Sequence, residues 1–371
     1  MTKRKSEHDV TQTKLQTLRN ANAEKENKIK ALNRSLAATQ TALDKANRLN
    51  DTVYEVAHRD RLVPVLGRPK KRTKQNPWAA SLVFVTSDLQ LGEVVDARSV
   101  RNYNAYDVRI AQERFRHTAQ SVVKMALEGM PAYEYDELVV VSNGDVINGD
   151  VHDSMETNEC SPIEQTLLAI SEHEAMLRLF ADSFPKVRFI VVPGNHDRRE
   201  GQRKTKYKNE SKDTFTYLMG KVLADSTKDV KSLKVEVSDA TAALFSVYDI
   251  VFSAEHGHRV KGGSDAWAGI MPALARNSMK RSIRDQIMGT PVDHYIYSHH
   301  HQLTLGPTFT MSGSYVGVNE MSFAEAMGIQ PPMMPLLLVT PERGITLKLS
   351  VDCRAPQEER LYANAGRNEW L

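Results

Sequence analysis

The chain has 371 residues, 41% hydrophobic and 26% charged, enough to bury one large core, which excludes short-peptide, fibrous and wholly disordered classes. Its 49 Lys and Arg stand against 46 Asp and Glu, a net charge of +3, too balanced for a protein that coats nucleic acid by charge alone. Residues 1–75 hold 18 Lys and Arg against 8 Asp and Glu, leaving 31 against 38 in the remainder, so a basic arm precedes an acidic body. Cys160 and Cys353 form no Cys-x-x-Cys pair and no disulfide framework, which points to a reducing compartment. No apolar signal segment opens the chain and no run of 18 apolar residues follows; the expected location is cytoplasmic, the host cytoplasm if the chain is viral, with no membrane partner.

From Leu15 to Leu49 there is no Pro or Gly. Leu18, Ile29, Leu32, Leu36, Leu43 and Ala46 fall on alternating three- and four-residue steps, with Asn22 and Lys25 interrupting the seam. Residues 1–50 are therefore expected to form a helical, coiled-coil-like arm that makes a homo-oligomer; the alternative is an amphipathic helix folded back on the body. Residues 51–78 read as a basic linker, with five cations from Arg68 to Lys74 between two prolines. That run suits a phosphate backbone or a solvated hinge.

Residues 79–352 form the main domain and 353–371 a tail. Short apolar runs alternate with helical stretches such as Asp107–Glu128 and Ile163–Phe184, the pattern of an α/β fold. Five runs stand out: Ser81–Ser87, Glu137–Ser142, Val187–Pro193, Tyr248–Ala254 and His294–Ser298. Each ends in polar residues: Asp88-Leu-Gln90, Asn143-Gly-Asp145, Gly194-Asn-His-Asp197, His256-Gly-His258 and His299-His-His301. Loops at the carboxyl ends of strands in open α/β sheets gather ligands. A mixed set of Asp, Asn and His suits a pair of divalent transition metals better than a thiolate-bound structural zinc.

In order and context these five blocks resemble the calcineurin-like metallophosphoesterase family, over about residues 80–305. The resemblance implies two mixed β-sheets packed as a sandwich flanked by helices. It implies Asp88, Gln90, Asp145 and His301 on a first divalent ion and Asp145, Asn195, His256 and His299 on a second, with Asp145 bridging. Manganese is the expected metal, with magnesium, iron and zinc as alternatives. Two adjacent cations need an anionic bridge, and their charge lowers the pKa of a shared water to give hydroxide near neutrality for in-line attack on phosphorus. His196 is implied as the acid that protonates the leaving alkoxide, with Asp197 orienting its ring. Gln90 departs from the family's usual His and should weaken the first site or bias it toward a harder ion. Ser298 replaces a Gly and should matter little. Alternation along an extended segment would turn His299 and His301 to one side.

His258, His300, His152, Asp150 and Asp153 read as ordinary loop polarity. Between Arg198 and Lys208 lie six cations and one acid, so Arg198, Arg199, Arg203 and Lys204 are candidate substrate contacts, and Tyr207 could stack on a base. Together with the basic linker, this favours a phosphodiester such as DNA or RNA, hence a nuclease. The alternatives are a phosphomonoesterase or protein phosphatase, whose arginines balance nearby carboxylates or grip one phosphate, and a metal-degenerate binding module suggested by Gln90. The segment Thr310–Glu320 and the turn Pro341–Gly344 read as late strands and a hairpin closing the second sheet. They resemble the C-terminal part of bacteriophage-type metallophosphoesterases and the DNA-repair exonuclease-like branch.

Overall fold

The computed structural model describes residues 78–151, 158–199, 210–260, 270–325 and 329–355, with scattered positions between 15 and 40. The chain divides into Met1–Arg59 and Asp60–Leu371. In the first unit the described residues are helical and exposed, including Ile29 and Leu36 of the heptad seam. Residues 51–77 of the basic linker lie outside the described residues.

The second unit is built on two sheets. The six-stranded sheet contains β1 (Ala79–Thr86), β2 (Glu134–Asn143), β3 (Val187–Val192), β4 (Leu233–Val237), β10 (Met333–Thr340) and β11 (Gly344–Asp352), in the order β11-β10-β1-β2-β3-β4. β1 to β4 pair in parallel, while β10 and β11 are antiparallel to their neighbours. The second sheet has the order β5-β6-β7-β9-β8, from β5 (Ala242–Val247), β6 (Ile250–Glu255), β7 (His294–Tyr297), β8 (Thr304–Leu305) and β9 (Phe309–Met311).

The sequence of each strand matches its place. β1 is apolar along most of its length and buried throughout, as a strand covered on both faces requires. β5 instead alternates buried and exposed positions with period two, as a half-covered edge strand does. The inward faces of both sheets share one core: Val83, Val85, Val139, Val141 and Ile190 from the first, and Phe245, Phe252, Ala254 and Ile296 from the second.

Helices cover the outer faces. α1 (Val108–Lys124) starts at Asp107, whose side chain accepts from the Ile110 N–H. α2 (Pro162–Ser183) starts at a reciprocal Ser161–Glu164 cap with Pro at its first position. Phe180 of α2 meets Phe84 of β1 edge to face. α3 (Phe215–Ser226) follows the Thr214 cap. On the other side, Ala273 and Leu274 of α4 (Met271–Ile287) cluster with Tyr295, Tyr297, Phe309 and Met311. A short α5 (Glu320–Ala324) follows β9.

The fold is therefore the expected helix-flanked sandwich, with one correction. The late hairpin belongs to the first sheet: β10 pairs with β1 from Ser81↔Val339 to Phe84↔Leu336. β10 is as buried as β1, and an open edge of β1 is the place that provides cover for such a strand. The strand from the Thr310 segment, β9, does lie in the second sheet, parallel to β7. Among the described residues no helix is long and apolar enough to cross a membrane.

Candidate metal centre

The carboxyl ends of β1, β2, β3, β6 and β7 bring all five polar blocks together. The first two loops are stitched by backbone bonds: Asp88 N–H donates to Gly144 O at 3.1 Å and Gln90 N–H to Asp145 O at 3.0 Å. The glycines set how closely the next loop approaches. A Cβ at Gly144 would lie 2.5 Å from the Gly194 Cα, and one at Gly194 would lie 2.1 Å from Asp145 Oδ1. Five of the gathered residues, Asp88, Gln90, Asp145, His299 and His301, are non-glycine residues with φ between 40° and 75°. Left-handed backbone at such residues persists only where the surroundings enforce it, and it collects at functional sites.

Asp145 is fully buried. Its Oδ1 accepts from the His196 N–H at 2.8 Å, and its Oδ2 faces His256 Nε2 at 2.8 Å. His256 Nδ1 lies 2.7 Å from the Asn143 carbonyl, so the ring turns its Nε2 inward. One ligand atom from each of Asp145, His256 and His299 lies within 4.8 Å of the others, a group able to hold a metal ion. Asn195 Oδ1 is buried with no hydrogen-bond partner among the described residues, while the buried Asp145 Oδ2 and His256 Nε2 face each other and Asp88 Oδ1 faces His301 Nε2 at 3.3 Å. An unpaired buried amide oxygen beside buried carboxylates whose only close partners are imidazole nitrogens is the donor chemistry that a divalent ion takes up.

The electrostatics agree. Burial disfavours charge on His256, but the Asp145 carboxylate overrides it and pushes the imidazole up to about 10. Burial would raise Asp145, yet His256 and then His196 hold it well below the usual carboxylate range. The attraction that Asp145 exerts on a proton at Nε2 is the one it would exert on a metal cation. Burial, reinforced by His256, holds His299 down at about 2, a neutral imidazole ready to ligate.

The side chains assigned to the first ion behave differently. His301 Nε2 lies 3.3 Å from Gln90 Nε2 and 3.3 Å from Asp88 Oδ1, so Gln90 and His301 partner each other. The His299–His301 segment is not extended. His299 and His301 both have left-handed backbone, the His299 ring packs on His256 at 5.2 Å while His301 Nε2 faces Asp88, and the His300 ring packs on His299 at 4.9 Å.

Several roles differ from the sequence reading. Asp197 does not orient the His196 ring: its two oxygens accept from the backbone N–H groups of Asp145, Val146, Ile147 and Gly194 at 2.7–3.4 Å, pinning the two central loops together. His196 Nδ1 faces the Asn148 carbonyl at 2.9 Å instead. Ser298 matters more than expected, since its hydroxyl accepts from Asn143 Nδ2 at 2.7 Å and from Ser312 Oγ at 2.9 Å. Arg198 is paired with Glu210 at 2.7 Å and Arg199 with Asp213 at 2.9 Å, so each already balances a carboxylate. Arg203, Lys204, Tyr207, His152 and Asp153 lie outside the described residues. Asp150 is exposed, whereas His258 is largely buried beside His256.

Two features escaped the sequence altogether. Ser314 Oγ and Tyr315 N–H both donate to the Asp88 carbonyl, at 3.1 and 3.2 Å, while the buried Arg114 guanidinium donates to the carbonyls of Tyr315 and Val316 at 2.7 and 2.8 Å. This clamp holds Asp88 from behind. The Glu93 carboxylate accepts from Asn319 Nδ2 at 2.9 Å, and burial pushes its pKa up against the opposing pull of that bond, His301 and His196.

No curated protein matches the chain. Among solved structures, vacuolar protein sorting 29 from Cryptosporidium parvum is 14% identical, covering 70% of this chain and 86% of its own, with a TM-score of 0.31. A predicted phosphoesterase from Streptococcus pneumoniae TIGR4 is 13% identical over 74% and 98%, TM-score 0.27. The phosphoesterase YfcE from E. coli is 12% identical over 73% and 100%, TM-score 0.28. The family model for calcineurin-like phosphoesterases matches residues 82–303, more than half of the chain, and the protein belongs to that family.

Proposed function

We propose that this phosphoesterase is a divalent-metal-dependent phosphodiesterase that cuts a nucleic-acid backbone, DNA or RNA, in the manner of the DNA-repair exonuclease-like branch. The observation that carries the hydrolytic part is the buried Asp145–His256–His299 group, whose ligand atoms lie within 4.8 Å of one another, with the unpartnered Asn195 Oδ1 buried in the same block set. Asp145, Asn195, His256 and His299 would hold one ion, and Asp88, Gln90, Asp145 and His301 the other, with manganese the preferred metal. When bound, the ions supply Lewis acidity at the phosphoryl group and a nucleophilic water at neutral pH.

The chain's own residues do the rest. The Asn148 carbonyl fixes the His196 ring through Nδ1, and the ring delivers a proton to the leaving oxygen as its bond to phosphorus breaks. Asp197 keeps His196 and Asp145 at a fixed spacing by gripping the backbone of both loops. The preference for a polyanion rests on the six cations between Arg198 and Lys208 and the five between Arg68 and Lys74. The pairing of Arg198 with Glu210 and Arg199 with Asp213 favours the second reading, a phosphomonoesterase, because it reduces the free positive charge.

Initial rates with manganese on end-labelled DNA and on an aryl phosphomonoester, each repeated with His196→Ala and Asp145→Asn, separate the two. Cleavage of DNA alone, abolished by both substitutions, supports the nuclease. Turnover of the monoester alone assigns the same centre to a phosphatase.

A further inference from the structure

Beside the metal centre lies a second cluster, formed by His258, Arg198, Glu210 and Arg259. Glu210 is the hub. Its carboxylate accepts from Arg198 Nη2 at 2.7 Å and from Arg259, and it lies 3.8 Å from His258 Nε2. The Glu210 side chain is 6% exposed, so two guanidinium groups converge on one buried carboxylate and the cluster retains a net positive charge.

The state of His258 follows from this arrangement. Arg198 Nη2 lies 3.3 Å from His258 Nε2, and because a guanidinium offers no acceptor, Nε2 must accept. The neutral imidazole then carries its proton on Nδ1. That Nδ1 is buried and has no hydrogen-bond partner among the described residues. The ring stands 5.9 Å from that of His256 and 6.3 Å from that of His299, both assigned to the second ion. An open, buried N–H donor beside the metal ligands, in a net positive setting, has the chemistry of an oxyanion contact.

We propose that His258 is a substrate-binding residue whose Nδ1–H donates to a non-bridging phosphoryl oxygen, and that Arg198, held by Glu210, is the positioning residue that fixes the proton on Nδ1. The inference rests on the phosphoesterase reading of the centre and adds a contact from protein to substrate that no metal ligand supplies. It also gives Arg198 a role without direct contact to the polyanion.

The test measures inorganic phosphate binding to the manganese-loaded full-length protein by calorimetry, with manganese stoichiometry measured in parallel. His258→Ala removes the donor and should weaken phosphate binding roughly tenfold or more, the scale of one hydrogen bond to a charged acceptor, without changing manganese stoichiometry. His258→Asn places an amide N–H near the former Nδ1 and should restore most of the affinity. Arg198→Met leaves His258 in place but frees its tautomer, and should weaken phosphate binding by a smaller factor, with KM rising more than kcat falls. The proposal is overturned if folded His258→Ala binds phosphate like the wild type, or if Ala and Asn lose affinity equally. Wild-type protein that binds manganese but neither binds phosphate nor turns over an ester would overturn the phosphoesterase reading with it. Unchanged binding in the Ala variant, beside normal wild-type binding, overturns the His258 assignment alone.

Discussion

Gly194→Ala is the most informative single perturbation of the metal centre, because the cost can be read from the geometry. The added Cβ would lie 2.1 Å from Asp145 Oδ1 and 2.3 Å from Asp145 N, where ordinary contact begins at 3.4 Å. The carboxylate and the loop must separate by about 1.3 Å, the difference between 3.4 and 2.1 Å. Two contacts are strained by that movement: the His196 N–H to Asp145 Oδ1 and the Gly194 N–H to Asp197 Oδ2. Overpacking of this kind costs roughly 1–3 kcal/mol of stability, and a displacement of about 1 Å at a reacting centre costs roughly 100-fold in rate. The expected outcome is a folded protein with a lower Tm, weakened manganese binding by calorimetry and about 100-fold lower kcat/KM. Wild-type metal affinity and rate in a folded Gly194→Ala protein would refute the reasoning that the close approach of Gly194 to Asp145 sets the site.

Three further outcomes are expected. His196→Ala should lower kcat by roughly 10²–10⁴ on an ester with a poor leaving group, much less on a nitrophenyl ester whose leaving group needs no proton, and leave manganese stoichiometry intact; equal losses on both esters would count against an acid role. Gln90→His replaces an amide engaged with His301 by an imidazole and should tighten the weaker manganese equivalent about tenfold, so an unchanged isotherm argues against Gln90 as a ligand. His173, packed against Phe115 and Phe189, is pushed down to about 4 by burial. Its folded pKa lies below the unfolded value of 6.5, so its contribution is full above 6.5 and is lost as pH falls toward 4, on the order of 3 kcal/mol; denaturant titrations at pH 7 and pH 4 should show this loss shrink in His173→Gln.

The central strands and the five polar blocks were legible because a strand buried on both faces reads as an unbroken apolar run, and because its loop begins where that run stops. β4 and β5 were not, since Lys234 and Glu236 interrupt one and the other is a half-exposed edge. The role of Asp197 was misread for a physical reason: its neighbour in sequence is His196, but its hydrogen-bond donors include amides fifty residues earlier, in the loop after β2. Its position beside a catalytic candidate gave no sign of that. The glycines carried a signal that could have been used. Two glycine-containing loops meeting at one carboxylate imply the backbone approach that Gly144 and Gly194 make. The Ser314–Asp88 bond joins residues 226 positions apart, and no local pattern announces it.

β1 opens the catalytic unit and lies between β2 and β10, yet β10 ends at Thr340. A nascent chain can therefore build β1 against β2 early, but it must hold one edge of that apolar strand open until β10 has been made, about 200 residues after β2. The grip of Ser314 and Tyr315 on the Asp88 carbonyl also comes from beyond the end of the family match at residue 303. Completion of the metal centre is thus tied to the synthesis of residues 314–340, and a fragment cut at the family boundary would contain the gathered blocks while lacking the strand and the clamp that set the first of them.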